Sequence, residues 1–101
     1  MGRGIFINMK YIISENRLVG IFENFMDSQY DLKFTTSPQG FVDKFVDKNG
    51  DIFGIMISYQ FEYVDYSTEY TLNQMFGEFT NELLLHYLRE RFPDITIDGI
   101  E

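Results

Sequence analysis

Cysteine and tryptophan are missing from this chain, and its 101 residues hold only two prolines and a single histidine. Without cysteine there is no disulfide framework, no thiolate metal centre and no cysteine nucleophile. The lack fits a reducing compartment, so the expected location is the cytoplasm. Long hydrophobic runs are missing too. Tyr11-Ile12-Ile13 and Leu83-Leu84-Leu85 fall far below the roughly 20 apolar residues that cross a bilayer. The N-terminal Met1–Asn8 stretch carries one arginine and an apolar run too short for a signal peptide. Phe6 stands where an N-myristoylation pattern needs Ser or Thr.

Catalytic and cofactor motifs are equally scarce. Gly2-Arg3-Gly4 precedes a strand-like segment instead of following one, and no Gly-Lys-Ser/Thr occurs, so there is no phosphate loop. His86 has neither a nucleophile nor a second metal ligand nominated by spacing and reads as a helix-surface residue. Asp47-Lys48-Asn49-Gly50-Asp51 matches the first, third and fifth positions of an EF-hand loop. The loop then fails, because Ile52 replaces its glycine and Ser58 its bidentate glutamate. A hairpin turn accounts for the same residues. Glu78 and Glu82, four apart, share a helix face and read as solvated carboxylates, not an acid/base pair. The expectation is a protein that is not an enzyme and has no metal, no cofactor and no catalytic residue.

Positive charge is the other scarcity. Eight Lys and Arg stand against 16 Asp and Glu, a net charge of −8. Such a surface repels phosphate backbones and anionic headgroups, which argues against direct binding to nucleic acid or membrane. Between Lys48 and Arg89 there is no Lys or Arg at all. Asp51, Glu62, Asp65, Glu69, Glu78 and Glu82 lie there, interleaved with Tyr59, Tyr63, Tyr66, Tyr70 and Phe79. A solubilising surface over an aromatic core explains the pattern. A surface recognised by a basic protein explains it as well, because tyrosine is enriched at interfaces. On the second reading the partner-binding residues are Glu62, Asp65, Tyr66, Glu69, Glu78 and Glu82.

What is abundant is aromatic and apolar. Phe and Tyr make up 18% of the chain and apolar residues 45%, enough for one core and one domain over residues 1–101. Gly4 to Ile13 reads as a strand. After a Ser14 cap, Leu18, Ile21, Phe22, Phe25 and Met26 form the stripe of a helix. Asp31 to Thr36 alternates as a second strand. Residues 37–50 fit either a capped helix or a strand, and Phe and Val with the Asn-Gly turn favour a strand at Phe41–Val46. Phe53, Ile55, Ile57, Tyr59, Phe61 and Tyr63 then alternate with more polar positions as one strand, predicting Phe53, Ile55, Ile57, Tyr59 and Phe61 inward. Val64–Glu69 reads as a turn. Thr71 and Gln74 are spaced as a capping box, and a helical stripe runs from Leu72 to Leu88 before Pro93 stops it. Ile95 and Ile97 suit a short last strand. The predicted fold is α+β, an antiparallel sheet of about four strands with two helices packed on one face. Leu18, Phe22, Phe25, Phe76, Phe79 and Leu83 are the expected helical contributors to its core.

The run Met9-Lys10-Tyr11-Ile12-Ile13-Ser14-Glu15-Asn16-Arg17-Leu18 resembles the opening of small uncharacterised acidic bacteriophage proteins. The resemblance implies a viral origin, a location in the host cytoplasm and Met9 as an alternative start, with the Gly4–Asn8 prefix as a departure. It also implies an inhibitor of a host nucleic-acid-acting or defence protein. The functional expectation is therefore an acidic protein-interaction module whose partner is a host protein with a basic surface. The alternatives are a structural or assembly protein that forms a homo-oligomer, and a small-ligand-binding protein.

Overall fold

The structure, a computed structural model, describes residues 15–37 and 42–101. The expected strand at Gly4–Ile13, the Ser14 cap and Phe41 lie outside the described residues. The elements run α1 (Glu15–Gln29), β1 (Lys33–Thr36), β2 (Asp43–Val46), β3 (Ile52–Ile57), β4 (Gln60–Tyr63), α2 (Tyr66–Phe76), α3 (Thr80–Arg91) and β5 (Gly99–Ile100). A single 3-10 turn at Gly77–Phe79 separates α2 from α3. This is an α+β fold with one five-stranded sheet in the order β1-β2-β3-β4-β5. The first four strands form an antiparallel meander, while β5 pairs parallel to β4 through Gln60–Gly99 and Phe61–Ile100. The sheet is thus mixed and one strand larger than expected.

α1 follows its apolar period. Phe22 and Met26 are buried, with Leu18, Val19 and Phe25 packed beside them. Ile21, expected in the stripe, is exposed instead. The helix ends where the Tyr30 and Asp31 amides both donate to Met26 O, with Asp31 at φ 46°. That left-handed position is one a short polar side chain tolerates. The segment at 43–46 is a strand, as the β-forming side chains favour. The Asp47 carboxylate accepts from the Asn49 and Asp51 amides at 2.8 and 3.0 Å, closing the hairpin turn in place of a cation loop.

The long alternation at 52–63 is two strands, not one. Ser58 (φ 51°) and Tyr59 (φ 68°) form a two-residue turn between β3 and β4. Two positive φ values are what a tight hairpin of right-twisted strands requires. A bulge sits beside Phe53: Phe45 pairs with Gly54 but Val46 pairs with Ile52. The extra residue reverses the faces of everything after it in β3. Phe53 and Phe61 are buried as expected, but Ile57 and Tyr59 are exposed and Ile55 is half-buried on the other side of the sheet. Met56, opposite Phe61, packs on the core in their place.

The second predicted helix also differs. It begins five residues early, at Tyr66, because the Asp65 carboxylate accepts from the Ser67 amide and caps it. It breaks at Gly77, whose φ of 59° and ψ of −137° interrupt the helical path. The buried Thr80 hydroxyl braces this corner, 2.8 Å from Gly77 O and 3.2 Å from Leu72 O.

One core joins sheet and helices. Phe45, Phe53 and Phe61 from the strands meet Phe22 and Met26 from α1, Leu72 and Phe76 from α2, and Leu83, Leu84, Tyr87 and Leu88 from α3. Rings interlock at edge-to-face angles: Phe22–Phe76 at 4.8 Å and Tyr30–Phe53 at 4.9 Å. All six expected helical contributors take part, Leu18, Phe25 and Phe79 from its margin. The C-terminal ends of α1 and α3 are tied by Asp27, which accepts from Tyr87 Oη and Arg91 Nη2 at 2.6 Å each. Arg91 thereby holds the Asp27 carboxyl below its usual range. Arg89 donates to Ile97 O at 2.7 Å, pinning the return segment that seats Ile97 in the core. No described helix is long and apolar enough to cross a membrane.

Candidate functional site

The residues expected to bind a partner occupy three places. Asp65, Tyr66 and Glu69 gather at the N-terminal turn of α2. Glu78 lies on the 3-10 turn and Glu82 on the first turn of α3, both exposed. The eleven residues of α2 separate the two groups by about 16 Å at 1.5 Å per residue. Glu62 stands apart. It pairs with Ile55, so its side chain belongs to the sheet face turned away from the core.

The N-terminal turn of α2 is the most developed of these places. Tyr66 is 78% exposed and Tyr70 54%. Their i, i+4 spacing lays the rings along one outward ridge, while Leu72 and Phe76 point into the core. The Ser67 hydroxyl donates to Asp65 Oδ2 at 2.6 Å. Together with the Ser67 amide, this bond holds the Asp65 carboxyl below its usual range and keeps it charged. Tyr63 and Tyr30 lie behind the turn. Burial, then the Glu69 charge, pushes the Tyr63 hydroxyl well above its ordinary range. Burial and the charges of Asp47 and Asp65 push Tyr30 in the same direction. Both phenols therefore stay neutral beside a cluster of carboxylates. Tyr70 was not among the expected site residues. Its signal is the spacing from Tyr66, which is visible only once the helix is begun at Asp65 instead of Thr71.

This arrangement offers carboxylates and exposed aromatic faces, which suit lysine and arginine side chains. Its one hydroxyl bonded to a carboxylate, Ser67 to Asp65, belongs to the cap of α2. His86 is exposed on α3, and among the described residues no group of three His, Cys, Asp or Glu could hold a metal ion.

A separate feature, an open cleft of about 640 Å³, lies between the sheet end and the segment after α3. Asp43, Ser58, Tyr59, Asp94 and Thr96 line it, over Phe34 and Met56. Its polar groups are two carboxylates and three hydroxyls with no cation among the lining residues, so an amine is the ligand class its chemistry would suit. No family model, curated protein or solved structure matches this chain.

Proposed function

We propose that the protein is a non-enzymatic interaction module that presents the α2 surface to a basic region of a partner protein. The observation that carries this reading is the exposed Tyr66–Tyr70 ridge flanked by Asp65 and Glu69, in a stretch with no Lys or Arg between Lys48 and Arg89. Aromatic side chains supply contact area at low entropic cost, and uniform negative charge steers a basic partner into place. Glu78 and Glu82 extend the acidic field at the far end of α2. The resemblance at Met9–Leu18 makes the partner a host nucleic-acid-acting or defence protein, with the module as its inhibitor.

The test is capture from a bacterial lysate at stepped ionic strength, with purified partner then titrated by calorimetry. Partner release is expected between about 0.1 M and 1 M salt, where the screening length falls from about 10 Å to about 3 Å. Tyr66→Ala is expected to weaken binding about tenfold or more, as truncation of an interface aromatic does. Joint Asp65→Asn and Glu69→Gln is expected to slow association and flatten the salt dependence. Failure to capture a partner at any salt, or one captured equally well by all variants, would overturn the reading.

A further inference from the structure

The outer face of the sheet carries an aliphatic patch that no described element covers. The bulge beside Phe53 turns Ile55 and Ile57 away from the core, onto the face where Ile52 already lies. Val46 joins them through its pairing with Ile52, and Val42 and Val64 flank the same face at the strand ends. Ile52, Ile57, Val42 and Val64 are 42 to 50% exposed, four of the large apolar side chains most accessible in the described structure. A contiguous β-branched patch of this kind marks a surface that another molecule covers.

The same face is charged in a fixed order. Across three neighbouring strands one row reads Lys44 on β2, Ile55 on β3 and Glu62 on β4. Lys33, paired with Val46, adds a second cation on the β1 side. The single ion pair among the described residues, Arg91–Asp27, is on the helical side, so neither Lys44 nor Glu62 is engaged there. A basic flank, an apolar centre and an acidic flank form a self-complementary surface. When two sheets pack face to face about a two-fold axis running along β3, Ile55 meets its own copy, and each Lys44 faces the partner's Glu62.

We propose that this face is the interface of a two-fold homodimer of the chain. Its extent agrees with a modest affinity. Strands of four to six residues spaced about 4.8 Å apart cover roughly 400 Å² in projection. Two such faces bury on the order of 1,000 Å² of accessible surface, the lower limit for a specific interface. The net charge of −8 on each copy opposes association at long range, and the Lys44–Glu62 pairing offsets it locally. The α2 ridge proposed to bind a partner stays free in this dimer.

Sedimentation equilibrium in physiological salt, from about 5 to about 500 µM, brackets the affinity such an interface gives. The average mass is expected to rise from the 12.0 kDa of one chain towards twice that value. Ile57→Glu, at a site already half-exposed in the monomer, is expected to abolish the rise while the far-ultraviolet spectrum stays unchanged. Lys44→Glu is expected to weaken association about tenfold by placing like charges opposite each other, and Lys44→Glu combined with Glu62→Lys to restore it. Tyr66→Ala is expected to leave the mass unchanged, so this inference and the proposed partner surface fail separately. A monomer throughout the range overturns the dimer. So does a dimer indifferent to Ile57→Glu, or a double variant no tighter than Lys44→Glu.

Discussion

Single atoms decide some of the packing. A Cβ at Gly54 would lie 2.3 Å from two carbons of the Phe61 ring and 2.9 Å from Glu62 O. Phe61 is wholly buried and its neighbours Phe45 and Phe53 are buried too, so the ring has nowhere to go. Gly54→Ala is therefore expected to cost about 3 kcal/mol, at the upper end of overpacking penalties, measured by urea unfolding. Tyr63 presents the converse case. Its hydroxyl is buried with no hydrogen-bond partner among the described residues. Removing an unsatisfied polar atom is close to neutral, so Tyr63→Phe is expected to change stability at pH 7 by less than about 1 kcal/mol in either direction. The sign with pH follows from the raised phenol. The unfolded chain ionises near pH 10 while the folded one stays neutral, so stability is full below about pH 10 and falls above it. Tyr63→Phe is expected to make that alkaline decline shallower; an unchanged decline would locate its cause elsewhere.

At the level of elements, what was legible in the sequence was whatever repeats over several turns. The α1 stripe appears where its period places it, and the Leu72–Leu88 stripe does so on two helices instead of one; the strand at 43–46 follows its β-forming Phe and Val against a repeat that fits a helix equally well. The breaks between elements were not legible, for physical reasons that differ. Gly77 sits inside a stripe that continues on both sides of it, so periodicity passes over the corner. The Ser58–Tyr59 turn uses two residues without the Asn-Gly signature, and the bulge at Phe53 replaces one side chain on the core by the next without any change of composition. Together they made the alternation at 53–63 read as one strand with Ile57 buried. Glu62 lies where the alternation puts it, on the outer sheet face; what the alternation does not show is that this face is separate from the carboxylates of α2. The turn gives a direct check. Type I′ hairpins favour Asn-Gly, so changing Ser58 to Asn together with Tyr59 to Gly is expected to stabilise the fold by about 1 kcal/mol. Had β3 and β4 been one continuous strand, glycine at position 59 would destabilise it instead. Ile57→Ala, on the solvated face, is expected to cost under about 1 kcal/mol in the dilute monomer, far less than a core truncation.

Charge acts on the whole molecule, and it pulls folding and binding in opposite directions. With 16 acidic and eight basic residues, compaction brings like charges together, and self-repulsion destabilises the native state. The one ion pair among the described residues, Arg91–Asp27, has side chains 38% and 45% exposed, so water and salt screen it, and its loss subtracts little. Screening the remaining excess of negative charge helps the compact form more than the expanded one. Raising salt from about 0.01 M to about 0.15 M shortens the screening length from about 30 Å to about 8 Å, from well above the 14.3 Å radius of gyration to well below it. The midpoint of urea unfolding is expected to rise over that interval, at a protein concentration of a few micromolar where the chain is monomeric. Capture of a basic partner through α2 is expected to weaken over the same interval, because it depends on the field that salt removes. Opposite salt slopes for stability and for binding are the signature of a surface whose negative charge serves recognition at a cost to the fold. A stability that falls with salt would show instead that local attractive pairs outweigh the net repulsion, and would remove the energetic reason for reading the acidic stretch from Asp51 to Glu82 as a functional surface.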